Sequence, residues 1–296
     1  MPGRRTNTLL LLPRLMRVYQ WPKNLLVLLP LVFAQDMVRV EADIRALLAF
    51  AAFCLASSAA YLFNDIRDLA QDREHPEKRR RPVASGEVGV GAAALLGVLL
   101  LGGAFALAVQ AGMEFLFALS IYFLLTISYS LFLKHVFLVD VICVALGFVI
   151  RAIAGALAID VVFSNWLVVC TFFLALFLSL GKRRGEIALL EEGAGSHRAV
   201  LEHYSIGFID QLLLLVAGGA IITYTIYTCS PEVVERIGTD KMYLTLPFVF
   251  YGLARYLWLV REKGAGGDPS GMLFKDMPVM ITVLLWVATC AVILYS

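Results

Sequence analysis

Long apolar segments alternate with short polar connections along almost the whole chain. A membrane-spanning helix needs about 20 mostly apolar residues, because the bilayer core offers no hydrogen-bond partner to a backbone that is not helical. The pattern predicts eight or nine such helices, since the first segment is short unless the apolar residues before it also contribute. The predicted segments are residues 24–35, 44–63, 88–110, 115–133, 136–159, 165–180, 206–229, 242–260 and 277–295.

The composition agrees with this pattern. Of the 296 residues, 60% are hydrophobic, and the mean hydropathy of +0.81 is too high for an ordinary soluble domain. The helices are apolar nearly all round, so we predict an all-α fold in which residues 1–296 form a single polytopic membrane domain. We expect no cleavable signal peptide, because Arg14, Arg17 and Lys23 interrupt the first apolar run.

The polar connections differ in charge from one side of the predicted bundle to the other. Lysines and arginines concentrate in alternate connections, of which the longest are residues 67–87, 181–205 and 261–276. The positive-inside rule places these connections on the cytoplasmic side. Because they are longer than the opposite ones, we expect them to form a cytoplasmic cap over a cavity. Within the last of them, residues 264–271 are either a plain linker or a loop that contacts phosphate.

The most charged segment follows the second apolar segment and reads NDIRDLAQDREHPEKRRRPVASG. At about 100° per residue, Asn64, Asp65, Asp68 and Asp72 lie within about a quarter of a helical turn. Carboxylates on one stripe repel each other unless a positive charge lies between them. Mg²⁺ is the expected cation, since it binds carboxylates together with substrate phosphates, and carboxylates near membrane depth are usually functional. The alternative is a solvated helix end beside a basic loop.

The cations that follow the aspartates suit the phosphate groups of the same ligand. Arginine offers a planar fork of donors and lysine offers a point charge. We predict phosphate contacts from Arg73, Lys78, Arg79 and Arg81. The alternative is an anchor to anionic lipid headgroups of the inner leaflet, for which Arg80 is the strongest candidate.

Charged residues on later helices are further candidates. Asp140 and Arg151 share a face of the fifth predicted helix but lie about 16 Å apart along its axis. Arg151 lies within an apolar stretch, so it either faces a cavity or forms a structural ion pair with another helix. Cations at the end of the sixth predicted helix either bind phosphate or only set the topology. The remaining predicted substrate contacts are Lys23, Tyr129, Lys134, Lys182, Arg183, Glu186 and Tyr204.

Two of these motifs together resemble a known family. NDxxDxxxD at residues 64–72, followed by RP and a small residue with glycine at residues 81–86, is similar to the first motif of the UbiA superfamily of intramembrane transferases. The resemblance implies a nine-helix bundle that binds a pyrophosphate through Mg²⁺ in a cavity open to the lipid.

Further segments resemble one branch of that superfamily, the decaprenyl-phosphate phosphoribosyltransferases. They are YQWPKN, DREHPEKRRRP, YSLFLKHVFLVDV, RAIAG, GKRRGE, RAVLEHY and RY…GGDP…D. The resemblance implies phosphoribosyl pyrophosphate as the donor, polyprenyl phosphate as the acceptor, and Arg198 as another substrate contact. It also implies the bacterial inner membrane, a site facing the cytoplasm and a role in arabinan precursor synthesis. We expect no nucleic acid partner, and the sequence leaves homo-oligomer formation open.

One segment departs from ordinary UbiA members, whose second motif is another aspartate-rich DxxxD. Here KRRGE at residues 182–186 has one carboxylate and three cations, which favours a ligand with more phosphate charge. Two alternatives stay open. One is a prenyltransferase that joins a prenyl diphosphate to an aromatic or other acceptor, which this segment disfavours. The other is a lipid carrier or transporter without enzymatic activity, which the missing inverted repeat disfavours.

Overall fold

The computed structural model describes residues 8–33, 40–162, 164–191, 199–263, 272 and 275–295. Within these residues the regular structure is helical, with no β-strand. Eight of the described helices are long and apolar enough to cross a membrane. They correspond to eight of the nine predicted segments, so the prediction of an all-α polytopic membrane protein is confirmed. The ninth span and the cytoplasmic cap stay predictions.

The chain divides into two compact units. The first unit contains Met1–Ser130 and Ile150–Val162, and the second contains Leu131–Val149 and Phe163–Ser296. The division passes through one long helix, α7, whose two halves belong to different units. The prediction of one domain over residues 1–296 stays a prediction.

The first unit is built on two long helices with small residues between them. Its helices are α1 (Thr8–Leu15), α2 (Leu29–Phe33), α3 (Val40–Arg67), α4 (Leu69–Glu74), α5 (Val90–Ala111), α6 (Met113–Leu131) and the second half of α7 (Val139–Ala158), with 3-10 helices at Val18–Leu28 and Lys78–Arg80. Buried alanines from α3 and α5 form much of its core, together with Phe53, Phe115 and Tyr122. Small residues let helix backbones approach closely, which is how helices pack where apolar burial gives no advantage over lipid.

The first predicted span begins as a 3-10 helix and not as an α-helix. The residue before it, Arg17, has φ 51° and ψ 48°, a left-handed conformation that is uncommon for a residue with a side chain. Gly155 of α7 lies against this 3-10 helix so closely that a Cβ there would overlap the carbonyl of Val27. Glycine is therefore required at this crossing.

The second unit packs its helices around an apolar core of its own. Its helices are the first half of α7, α8 (Asn165–Glu191), α9 (Ile206–Cys229), α10 (Pro231–Ile237), α11 (Leu246–Glu262) and α12 (Met277–Tyr295), with 3-10 helices at Leu133–His135, Ala199–His203 and Lys241–Thr245. Phe177, Ile209, Leu213 and Tyr256 are among its buried core residues. Ser205 caps α9, because its hydroxyl accepts a hydrogen bond from the amide of Phe208 at 3.2 Å.

Candidate functional site

The acidic motif lies where α3 ends and α4 begins. The chain turns at Asp68, but the amide of Asp68 still donates to the carbonyl of Asn64 at 2.9 Å, and the amide of Asp72 donates to the carbonyl of Asp68 at 2.8 Å. Helical register therefore continues across the turn. Asp65 and Asp72 are each only 3% exposed, whereas Asn64 and Asp68 are half-buried.

One guanidinium joins the two buried carboxylates of this motif. Nη1 of Arg81 donates to Oδ2 of Asp72 at 2.6 Å and to Oδ1 of Asp65 at 3.1 Å. Arg17 also donates to Oδ1 of Asp65, and its guanidinium carbon lies 4.7 Å from the centre of the Tyr61 ring. The structure thus places cationic side chains where the repulsion between carboxylates requires positive charge.

A cavity of about 400 Å³ opens beside this cluster in the first unit. Its charged lining residues are Arg14, Arg17, Lys78, Arg80 and Arg81, together with Asp65 and Glu77. Five cations against two carboxylates make the cavity suitable for an anionic ligand, and its volume is in the usual range for a small-molecule site.

The loop after α4 presents several of these cations. It contains the short 3-10 turn Lys78–Arg80, and the amide of Arg81 donates to the carbonyl of Lys78 at 2.9 Å. Nη2 of Arg14 donates to the carbonyl of Arg80 at 3.1 Å, which ties α1 to the same loop. Arg73 donates to the carbonyl of Ala84 at 3.3 Å, and both Arg73 and Arg79 are exposed.

The acidic motif has the chemistry of a divalent-metal site, although it is not a complete set of ligands. Among the residues that the structure describes, no group of three or more His, Cys, Asp or Glu side chains is placed to hold a metal ion. Two carboxylates are nevertheless what Mg²⁺ commonly takes from a protein, and phosphate oxygens and water supply the remaining ligands. Asp65 and Asp72 therefore fit Mg²⁺ when a phosphate ligand is also present.

Arg151 donates hydrogen bonds to two neutral side chains of the first unit. It is 7% exposed, and its Nε donates to Oδ1 of Asn24 at 2.8 Å. Its Nη2 donates to the hydroxyl of Tyr122 at 2.7 Å, and the guanidinium stacks 4.6 Å from the centre of that ring. Lys23 and Tyr129, two other predicted contacts in this unit, are half-buried.

A second charged network lies in the second unit, around Asp140. This fully buried residue accepts a hydrogen bond from the Tyr204 hydroxyl at 2.7 Å, and that hydroxyl accepts one from the amide of Leu138 at 3.1 Å. Nε of Arg183 lies 3.0 Å from Oδ2 of Asp140, outside hydrogen-bonding geometry, so their attraction is mainly Coulombic. Arg183 also forms an ion pair with Glu186. Burial and the hydrogen bond to Asp140 raise the pKa of Tyr204, which keeps this hydroxyl neutral.

The other cations of the second unit differ in exposure. Lys182 is exposed, whereas Lys134 is buried in the 3-10 helix Leu133–His135. Arg184 donates to Asp210 at 2.6 Å and to the carbonyl of Val260 at 2.7 Å. Because Arg183 and Arg184 both have carboxylate partners, the KRRGE segment offers less uncompensated positive charge than its sequence suggests.

Two predictions fall outside the residues that the structure describes. They are the substrate contact at Arg198 and the two interpretations of residues 264–271. Conversely, the sequence did not single out Arg17 as a partner of Asp65, nor Arg184 as a partner of Asp210. The members of these pairs are 48 and 26 residues apart, so no local spacing indicates them.

Comparison with known proteins adds three findings. The sequence model of the UbiA prenyltransferase family matches residues 26–186. Decaprenyl-phosphate phosphoribosyltransferase of Mycolicibacterium smegmatis is 32% identical over 288 residues, which cover 94% of this chain and 91% of that protein. The Corynebacterium glutamicum protein of the same name is 32% identical over 290 residues, which cover 95% and 85%.

Solved structures agree on the fold. A UbiA homolog from Archaeoglobus fulgidus bound to GPP and Mg²⁺ superimposes with a TM-score of 0.73 at 19% identity, covering 96% of this chain and 99% of that one. A second structure of that homolog, bound to DMAPP and Mg²⁺, gives a TM-score of 0.73 at 18% identity, covering 95% and 98%.

Proposed function

Because the chain belongs to the UbiA prenyltransferase family, we propose that it transfers the 5-phosphoribosyl group of phosphoribosyl pyrophosphate to a polyprenyl phosphate and releases pyrophosphate. The observation that carries this proposal is the identity of 32% over 94% of the chain to a relative named for that transfer. A cavity lined by five cations and two carboxylates supports it, because the donor carries both a pyrophosphate and a 5-phosphate.

The acidic cluster would bind the metal ion of this reaction. Two carboxylates buried as deeply as Asp65 and Asp72 need a cation beside them, and their oxygens are the ligands that Mg²⁺ prefers. We propose that these two hold Mg²⁺, with Asn64 and Asp68 as further oxygen donors from the same helical stretch. When bound, Mg²⁺ neutralises charge on the departing pyrophosphate.

The cations of the cavity would hold the phosphate groups. Arg81 and Arg17 both form ion pairs with the acidic cluster, and both line the cavity. Each can therefore contact an anionic ligand in the cavity while it remains beside the carboxylates. We propose that Arg81 and Lys78 contact the pyrophosphate, since a guanidinium offers paired donors and an ammonium offers a compact charge. Arg73 and Arg79 lie outside the lining of this cavity, so they are the weaker candidates for such contacts.

The transfer forms one bond and breaks one. An oxygen of the lipid phosphate attacks the anomeric carbon of the ribose, and the bond from that carbon to pyrophosphate breaks with its electron pair on the leaving group. A phosphate monoester has a second pKa of about 6, so it is already an anion near neutral pH and needs no general base. The residues act by positioning the reactants and by stabilising the leaving group's charge.

Residues of the second unit have two proposed roles. Asp140 accepts a hydrogen bond from Tyr204 and attracts the charge of Arg183, so we propose that these three residues position the start of α7 against α8. Because all three side chains are buried, we assign direct substrate binding to more accessible residues. We propose phosphate contacts from Lys182, which is exposed on α8, and keep Lys134 and Arg198 as further candidates of the same kind. Glu186 is a carboxylate, so we propose that it acts on the metal side of the ligand, through water.

The proposed setting follows from the charge of the connections. Lysines and arginines concentrate in alternate loops, which supports an acidic motif at the cytoplasmic face of the membrane. We propose the bacterial inner membrane, because the relatives of the same name are bacterial proteins. The product would be a lipid-linked pentose phosphate, suited to supply arabinan precursors for the cell envelope.

The decisive experiment compares two pairs of substrates. Detergent-purified protein with Mg²⁺ receives either labelled phosphoribosyl pyrophosphate and decaprenyl phosphate, or a labelled prenyl diphosphate and an aromatic acid. We expect labelled lipid phosphate only from the first pair. Product from the second pair alone would make the protein a prenyltransferase, and product from neither would contradict the proposed transfer.

A matched set of variants ties the activity to the acidic motif. Asp72→Asn removes a buried charge that pairs with Arg81, and we expect it to abolish Mg²⁺-dependent turnover. Arg236→Gln removes an exposed arginine that forms an ion pair with Glu232 on its own helix, and we expect unchanged turnover. Equal activity in the two variants would contradict the metal assignment.

A further inference from the structure

In the sequence, His75 lies between the acidic motif (residues 64–72) and the 3-10 turn Lys78–Arg80, here called the basic turn, which contributes Lys78 and Arg80 to the cavity. It ends α4 with an extended backbone at φ −76° and ψ 133°. The residue after it is Pro76, and a proline forces the preceding residue out of the helical region. The chain therefore leaves the helix at His75 and can fold back over its side chain.

The His75 ring accepts hydrogen bonds from the two amides that begin the basic turn. Its Nδ1 is 3.1 Å from the amide nitrogen of Glu77 and 3.3 Å from that of Lys78. An imidazole nitrogen accepts only when it carries no proton, so these contacts require the neutral ring with its proton on Nε2. The ring acts here as aspartate or asparagine acts when it caps a turn.

This cap fixes the chain that carries three of the five cations of the cavity. Lys78 and Arg80 belong to the capped turn, and the amide of Arg81 closes it by donating to the carbonyl of Lys78 at 2.9 Å. If the cap is lost, the two amides lose this acceptor, and the turn keeps the bond from the Arg79 amide to the His75 carbonyl at 3.2 Å as a tie to the end of α4. The positions of these cations then become less defined.

We propose that His75 is a positioning residue for the donor: the neutral ring holds Lys78, Arg80 and Arg81 in place to bind donor phosphates, and protonation of the ring releases them. This inference rests on the function proposed above, because it assigns the basic turn to the phosphates of that donor.

Neighbouring charges set the pH at which this release occurs. Burial and the Lys78 ammonium lower the pKa of His75, Arg81 acts in the same direction, and the carboxylates of Glu77 and Asp72 oppose them. Because the folded protein has the lower pKa, the cap is complete above the ordinary histidine value of about 6.5 and is lost as the pH falls through the folded-state value.

Three proteins test the proposal: wild type, His75→Asn and His75→Leu. Asparagine keeps an acceptor near the position of Nδ1 but does not titrate, whereas leucine has a similar bulk and no acceptor. We expect His75→Leu to raise the KM for phosphoribosyl pyrophosphate about fivefold at neutral pH, as for the loss of a helix cap, with kcat nearly unchanged. His75→Asn should keep the wild-type KM.

The pH dependence of KM distinguishes protonation of His75 from protonation of the substrates. Donor and lipid phosphates also take up protons near about pH 6, so every protein will show some rise of KM in acid. We expect the wild type to show an additional rise that His75→Asn lacks. A melting curve for each variant accompanies the kinetics, and if His75→Leu does not fold, the comparison of wild type with His75→Asn decides alone.

Two results would overturn the inference: a wild-type KM in folded His75→Leu, or the full wild-type acid dependence in His75→Asn. The proposed function would be refuted by a different result, since the wild type itself would then form no phosphoribosyl lipid. In that case calorimetric titration of phosphoribosyl pyrophosphate with Mg²⁺ into the same proteins still measures the effect of His75. Equal affinities at every pH, or no binding, would overturn the role of His75 as well.

Discussion

Variants of the ion pair between Asp140 and Arg183 distinguish a structural role of Asp140 from a ligand-binding role. Asp140 is 0% exposed and Arg183 is 4% exposed, so replacing either one leaves a buried charge with fewer partners. Asp140→Asn is nearly isosteric and keeps an acceptor for the Tyr204 hydroxyl. The main change is therefore the loss of the negative charge beside Arg183.

The geometry gives the size of the effect. Unit charges 3.0 Å apart attract each other by about 5 to 6 kcal/mol at an effective dielectric constant of about 20. Removing one partner of a buried pair typically costs about 3 to 5 kcal/mol, because the other charge stays desolvated. Arg183 keeps its ion pair with Glu186, so we expect the lower end, about 3 kcal/mol.

Thermal unfolding in detergent at one scan rate measures this effect. A loss of about 1 kcal/mol lowers the midpoint by about 2 to 4 °C in a chain of a few hundred residues, so Asp140→Asn should unfold about 6 °C or more below wild type. The double variant Asp140→Asn/Arg183→Met buries neither charge, and its loss should be smaller than the sum of the single losses by about 2 kcal/mol. Arg236→Met, at an exposed pair, is the matched control.

Additive losses would refute this reasoning, because they would mean that the two charges do not stabilise each other. A normal melting curve for Asp140→Asn together with loss of product would also refute it, and would assign Asp140 to substrate binding. Stability and turnover must therefore be measured on the same preparations.

Three further predictions concern the fold, the Asp140 network and the metal. Gly155→Ala should lower the yield of folded protein, because its methyl group would overlap the carbonyl of Val27; normal yield and melting would contradict the close crossing. Tyr204→Phe removes the hydroxyl between Asp140 and the Leu138 amide and should cost about 1 to 3 kcal/mol in thermal unfolding, whereas an unchanged midpoint would make the network unimportant for stability. Chelation with EDTA should stop product formation, and Mg²⁺ should restore it better than the larger Ca²⁺; activity that survives chelation would exclude a removable metal.

The sequence predicts the membrane helices well because apolar length is a local property. The last predicted span, residues 277–295, agrees with the observed Met277–Tyr295. The predicted helix ends are wrong where polar residues continue a helix. The helix α3 extends past the predicted residue 63 to Arg67, and α8 extends past the predicted residue 180 to Glu191. In both cases the additional turns carry the charged motifs, so polarity alone gives the wrong end of the helix.

The candidate site is only partly predictable for a related reason. Helical spacing predicts that Asp65 and Asp72 lie on one side, and the charge argument requires positive charge beside them, for which the sequence suggests Mg²⁺. Neither argument reveals that the guanidinium of Arg81 joins them, or that Arg17 approaches Asp65 from a segment 48 residues away. The Tyr204 hydrogen bond to Asp140 spans 64 residues, so it too depends on the tertiary fold.

Metal binding by the acidic motif is the central claim, and it can be measured without turnover. Electron paramagnetic resonance of Mn²⁺, which substitutes for Mg²⁺ at oxygen ligands, reports free and bound metal in the presence of phosphoribosyl pyrophosphate. The account predicts saturable Mn²⁺ binding by the wild type and by Arg236→Gln, and its loss in Asp65→Asn and Asp72→Asn. Equal Mn²⁺ binding by all four folded proteins would contradict it.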